Sequence, residues 1–136
     1  MNSVDTRTLL QSYHQAMINF SADAFADLYA TDAVHEFPFR NPDGVQRLAG
    51  REEIRDYYRA LWSDPAVILE QIDERATHQP SPSMIINEWH GTGHRRADGA
   101  AFQLSGVIVL AADRGMITAV RDYMDVQGLL SQLGSH

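Results

Sequence analysis

At 136 residues with 44% apolar side chains, the chain has the size of one domain with an ordinary core and no room for two. Its 18 Asp and Glu against 11 Lys and Arg give a formal charge of −7, without the clustered basic residues that a nucleic-acid surface needs, so no nucleic-acid partner is expected. Cysteine is absent, which excludes disulfides, thiolate nucleophiles and thiolate metal sites.

The opening Met1-Asn2-Ser3-Val4-Asp5 is not a basic segment followed by an apolar one, and no apolar run reaches the roughly 18 residues of a membrane span. A cytoplasmic location with no membrane partner is therefore expected. Ser3 can cap a first helix running to about Asn19, with Asp5 in its first turn and Leu9 or Leu10, Tyr13, Met17 and Phe20 as its apolar stripe. Ser21 restarts a short second helix through about Ala30, anchored by Phe25, Leu28 and Tyr29 and ended by Thr31-Asp32. Val34 to Phe39 reads as a strand that Pro38 brings to an edge or a loop, and Asn41-Pro42-Asp43-Gly44 as a turn. A third helix follows Gly50 to about Trp62, with Ile54, Tyr58, Leu61 and Trp62 on one face.

From Val67 the pattern becomes a meander: Val67 to about Thr77, Ser83 to about Arg95, Ala100 to Ala112, and Met116 to about Met124. Pro80 and Pro82 break the first connection, while Arg96-Ala97-Asp98-Gly99 and Asp113-Arg114-Gly115 carry the glycines of tight hairpins. Helices first and strands afterwards predict an α+β fold: a strongly curved, mainly antiparallel sheet packed around three N-terminal helices as a cone with a cavity. A single domain spans 1–133, and Gly134-Ser135-His136 reads as a cloning remnant.

The last strand holds the main chemical signal. In Arg121-Asp122-Tyr123-Met124-Asp125, alternation puts Val120, Asp122 and Met124 on one face and Arg121, Tyr123 and Asp125 on the other. An aspartate between two apolar neighbours is paired, functional or on the wet face. In the first strand His35 shares a face with Phe37 and Phe39, and Glu36 with Val34 and Pro38, and only one set can point inward. Asp122, Tyr13, His35, Glu36 and Glu88 are the candidate catalytic residues, being ionisable groups on apolar elements where burial shifts protonation. The bland readings stand beside these: an ion pair for Asp122, a satisfied core imidazole for His35, core packing for Tyr13 and a cross-strand pair for Glu88. Phe37, Phe39, Tyr58, Trp62, Trp89, Phe102, Leu104 and Met124 are expected to line an apolar ligand. His90 and His94 would span about 13 Å along a strand, too far for one ion, so no metal site is expected. No cofactor motif is present either, neither a phosphate loop nor a dinucleotide fingerprint.

The element order resembles the nuclear transport factor 2-like cone over nearly the whole chain. Asp32-Ala33-Val34-His35-Glu36-Phe37-Pro38-Phe39, then Gly50-Arg51-Glu52-Glu53-Ile54, and finally Glu88, Gly93, Gly99 and Arg121-Asp122-Tyr123 resemble its SnoaL-like branch. Similarity to ketosteroid isomerase puts Tyr13 on the oxyanion-hole tyrosine, but Phe37 on the general base and Val107 near the second oxyanion donor. Similarity to limonene epoxide hydrolase puts Asp122 on the water-activating aspartate, but Trp89 and Gly91 near its arginine and acid partners, leaving Glu36 or Glu88 as substitutes. The resemblance implies a small-molecule enzyme using cofactor-independent acid/base chemistry on an apolar cyclic substrate. Asp122 would be the base, with Tyr13 or His35 donating to an oxyanion. The alternative is a non-catalytic hydrophobic-ligand binder or dimeric module of the same fold. A homodimer is expected through the outer sheet face, where Ser105, Val107 and Val109 alternate with the inward Phe102, Leu104 and Ile108.

Overall fold

The computed structural model describes residues 5–134; Ser3 as a cap, and Ser135 and His136, lie outside the described residues. Asp5 itself caps α1 (Thr6–Ile18), its carboxylate accepting from the Thr8 N–H at 2.8 Å. Phe20 ends the turn in the left-handed region (φ 52°), and the Ser21 side chain caps α2 (Ala22–Ala26). That second helix is shorter than expected, because Tyr29 to Asp32 belong to β1 (Tyr29–Glu36) rather than to the end of a helix. Propensity alone favours neither state there, and the pairing with a distant strand decides it.

After β1 come a short strand that the polar loop concealed, β2 (Arg47–Ala49), and α3 (Arg51–Ser63), whose first turn carries Glu52 and Glu53 at the positive end of the helix dipole. The meander follows as β3 (Val67–Ser81), β4 (Met84–Arg95), β5 (Ala101–Asp113) and β6 (Met116–Met124). Pro80 sits near the end of β3 instead of beyond it. A final helix, α4 (Val126–Gln132), is capped by the Asp125 side chain and was not signalled by any apolar stripe. Arg114 and Gly115 both have positive φ, as a two-residue hairpin between β5 and β6 requires.

The six strands form one mixed sheet in the order β2-β1-β6-β5-β4-β3, antiparallel throughout except where β1 runs parallel to β6. The parallel pair sets His35 opposite Val120 and Glu36 opposite Arg121. Helices α1 to α3 pack on the inner face, burying Leu9, Leu10, Tyr13, Phe25, Ile54 and Tyr58 against Ile85, Ile108, Leu110, Ile117 and Val120. Arg55 of α3 ties the helical layer together through Asp23 and Asp27, each at 2.7 Å, which fixes α2 on α3 and places Phe25 beside Tyr58, ring centroids 4.5 Å apart.

One close approach in the sheet tolerates no side chain. A Cβ on Gly93 would lie 1.7 Å from the Ile68 carbonyl oxygen where β3 bulges between Leu69 and Gln71. Gly99, by contrast, has φ +71° with open space around it. Gly93→Ala should therefore destabilise at or beyond the upper end of the roughly 1–3 kcal/mol typical of overpacking, and Gly99→Ala by only about 1 kcal/mol of left-handed strain. Urea denaturation of the two variants measures the difference; equal losses would contradict the β3–β4 geometry.

Candidate functional site

Alternation along β6 places Val120 and Asp122 inside and leaves Arg121 exposed. On β1 it buries Ala33, His35 and Phe37, which settles the open orientation: His35 faces the interior, and half-buried Glu36 lies on the opposite face with Val34. Parallel pairing then brings His35 and Asp122 together, with His35 Nε2 3.4 Å from Asp122 Oδ2. Both are buried, at 0% and 6% exposure.

The imidazole is held on every side. The Tyr29 hydroxyl lies 2.8 Å from His35 Nδ1, the Tyr58 hydroxyl 3.4 Å from Nε2, and the Phe37 ring packs 4.7 Å away. The two ring nitrogens thus have tyrosine hydroxyls as their hydrogen-bond partners, with the Asp122 carboxylate as a further contact beside Nε2. Tyr13 of α1 stands parallel to the imidazole with centroids 6.4 Å apart. Burial, and next the Asp122 charge, push the phenols of Tyr13, Tyr29 and Tyr58 well above their usual range, so all three remain proton donors at neutral pH.

Two atoms of this group make no hydrogen bond of ordinary geometry: Asp122 Oδ1 and the Tyr13 hydroxyl, the latter near enough to the Tyr29 hydroxyl for each to shift the other's pKa. An unpaired buried polar atom costs about 1–3 kcal/mol, so a donor and an acceptor left idle in one core ask for a ligand or water to complete them. A second buried polar group escaped the sequence reading. His14 of α1 reaches Asn87 of β4, Nε2 to Oδ1 2.9 Å, and Tyr29 likewise went unnoticed as the residue that orients His35. The signal was present, since Asn87 alternates with Ile85 and Trp89 just as Asp122 does with Val120 and Met124.

The other expected residues divide. Phe37, Tyr58, Trp89, Phe102 and Leu104 are buried on the inner side, with Trp62 and Met124 half-buried at its margin. Glu88 is exposed on the outer face, so neither it nor Glu36 supplies an inward acid. Phe39 is also outside, 66% exposed and edge-on to Tyr123 at 5.3 Å, because the strand ends at Glu36 and the chain turns through Arg40 (φ 61°). With Glu88, His90, Ser105, Val107 and Tyr123 it borders an open groove of about 750 Å³. His90 and His94 take separate partners, Ser105 at 2.7 Å and Glu70 at 2.9 Å.

A family model for the SnoaL-like domain matches residues 10–120. The chain belongs to the SnoaL-like family. This SnoaL-like chain is 28% identical over 121 residues to an uncharacterised PhzA/B-like protein of Pseudomonas aeruginosa, covering 85% of this chain and 81% of that protein. Among solved structures, a candidate isomerase from Bacillus subtilis superimposes with a TM-score of 0.84 at 21% identity, covering 96% of this chain and 93% of that one. The Δ5-3-ketosteroid isomerase of a Mycobacterium species gives 0.69 at 22% identity, over 90% and 94%. These likenesses establish the fold of the SnoaL-like chain. Among its described residues no helix is long and apolar enough to cross a membrane.

His14 supplies a pH test. Burial lowers its pKa from the ordinary 6.5, against smaller raising effects of the Asn87 hydrogen bond and the Glu74 and Asp122 charges. The folded state thus binds fewer protons than the unfolded one as pH falls through about 6.5, so this contribution is complete above about 6.5 and is lost toward the lower folded value. Denaturation midpoints between pH 7.5 and 5 should fall less steeply for His14→Gln, which keeps a donor to Asn87 without titrating. An unchanged slope would contradict the assignment.

Proposed function

We propose that the chain is an acid–base enzyme of the isomerase or cyclase type, acting on an apolar cyclic ketone with its own side chains. The supporting observation is the pairing of opposites in one core: Asp122 Oδ1, an acceptor, and the Tyr13 hydroxyl, a donor, both buried and both unpartnered. Asp122 Oδ1 takes a proton from the carbon beside the carbonyl. The Tyr13 hydroxyl donates to the oxygen on which the enolate charge gathers, and the proton returns from the same carboxyl to a carbon of the intermediate, so nothing is gained or lost overall. His35, 3.4 Å from Asp122 Oδ2 and hydrogen-bonded through its two nitrogens to Tyr29 and Tyr58, is a positioning residue that leaves Oδ1 free for the substrate. Phe37, Trp89, Phe102 and Leu104 supply apolar wall, where charge interactions act with little screening.

The rival is a binder that uses the same two atoms to hold a ligand without turnover. Deuterium exchange at the α-carbon of 1-tetralone, followed by NMR in D₂O, separates them. The parent should accelerate exchange over buffer, and Asp122→Asn should lose about 10²–10⁴-fold of that acceleration. Among the described residues no arginine forms an ion pair with Asp122, and an amide has nearly the shape of the carboxylate, so its stability should change by no more than about 1 kcal/mol. Tetralone that binds without accelerated exchange favours the binder; a collapse in stability would make Asp122 structural.

For the outer face we propose association with a second copy, supported by the exposed Phe39 and the groove beside Tyr123 and Val107. Sedimentation should give a dimer at micromolar concentration, weakened in Phe39→Glu; a parent that stays monomeric would refute it.

A further inference from the structure

Asp122, Tyr13 and His35 are buried, so a ligand reaches them only past a side chain that moves. The rings Phe25, Tyr29, Phe37 and Tyr58 that surround them are buried too, and behind these stand two half-buried rings, Tyr57 and Trp62. The two are held differently. The Tyr57 hydroxyl accepts from the Asn41 side-chain amide at 2.8 Å and donates to the Asp43 carboxylate at 2.7 Å, which locks it to the loop between β1 and β2. Trp62 is held by rings: Tyr58 at 4.8 Å, Phe25 at 5.5 Å and Phe20 at 6.1 Å between centroids, with no side-chain hydrogen bond among the described residues. It also lies in the last turn of α3, and a helix end is where local opening is easiest.

Phe20 meets that indole from the end of α1. It follows the C-cap Asn19 in the left-handed region (φ 52°), with its N–H bonded to the Met17 carbonyl at 3.2 Å and the Ser21 N–H to the Ala16 carbonyl at 3.1 Å. These two bonds are the Schellman closure of a helix, whose left-handed position favours glycine, and a residue as bulky as phenylalanine is an outlier there. The main chain therefore fixes the Phe20 ring in place, at a conformational cost, against Trp62. Both rings border an open depression of about 380 Å³, together with Ser21, Asp23, Arg59 and Ser63. On the inner side of Trp62 the contacts lead to the site: the Tyr58 hydroxyl is 3.4 Å from His35 Nε2, which is 3.4 Å from Asp122 Oδ2.

We propose that Trp62 is the gate to the interior and Phe20 its fixed stop: the indole swings away from Tyr58 and Phe25 into the depression, admits the ligand and closes behind it. The proposal rests on the reading of Asp122 and Tyr13 as the atoms that meet a ligand. A gate open for a small fraction of the time slows entry and escape alike, so loosening it changes both rates and leaves their ratio in place. A residue that only touches the bound ligand acts on dissociation instead.

The test uses Phe20→Gly, which keeps the turn and removes the stop. The two tryptophans, Trp62 and Trp89, give the ¹⁵N-labelled protein two indole N–H signals. In the free parent, relaxation dispersion should appear at Trp62 and not at Trp89, and it should grow in Phe20→Gly. On stopped-flow mixing with 1-tetralone, association and dissociation should both be about tenfold faster in the variant, the size expected from the loss of one aromatic pair, with Kd little changed. A Trp62 signal without dispersion in the parent overturns the gate, and that measurement decides if the variant does not fold. Unaltered rates in Phe20→Gly, or a change in Kd carried by dissociation alone, overturn it as well while leaving the acid–base reading intact. A parent that binds no tetralone removes the cyclic-ketone reading; dispersion at Trp62 that grows in Phe20→Gly then still supports the gate, and its absence overturns both.

Discussion

The cost of removing polar atoms from water governs this molecule. Three helices can pack on the sheet only because its inner face is apolar, yet His35, Asn87 and Asp122 stand on that face and His14 and Tyr13 reach it from α1. Each has to be compensated. Tyr29 and Tyr58 meet the two nitrogens of His35, and Asn87 settles one nitrogen of His14 while spending its own amide protons on β3. What remains after this accounting is a small number of idle atoms, and they fall into donors (the Tyr13 hydroxyl and Trp89 Nε1) and acceptors (Asp122 Oδ1 and His14 Nδ1). Apolar groups of similar shape would avoid that cost, so the presence of these atoms is the observation on which the proposed chemistry rests.

How much of this the sequence discloses follows from the range of the interactions involved. Alternation is local, so the inward direction of Asp122 and the two hairpins are legible, as are the helical stripes of Tyr13, Ile54 and Tyr58. The choice between His35 and Glu36 is not local: both alternate with apolar neighbours, and the face is selected by pairing with β6. Tyr29 to Asp32 becomes strand for the same reason. Phe39 follows the alternation on paper but loses it where the strand stops and Arg40 turns the chain. Glu88 carries the formal charge, whereas its neutral neighbour Asn87 points inward, as the two-residue period assigns.

His35 and Asp122 meet because the first strand pairs in parallel with the last, while every other partner in the sheet joins β1 to β2 or neighbours along the meander. Loop-closure entropy grows slowly with length, so so distant a pairing is affordable, but it must wait until the intervening strands provide an edge to receive β1. Strands β3 to β6 are joined hairpin by hairpin, whereas β1 reaches β6 across the whole meander. The contact between His35 and Asp122 is then a product of the final closure of the sheet: a chain caught before that step would possess most of its secondary structure and lack that contact.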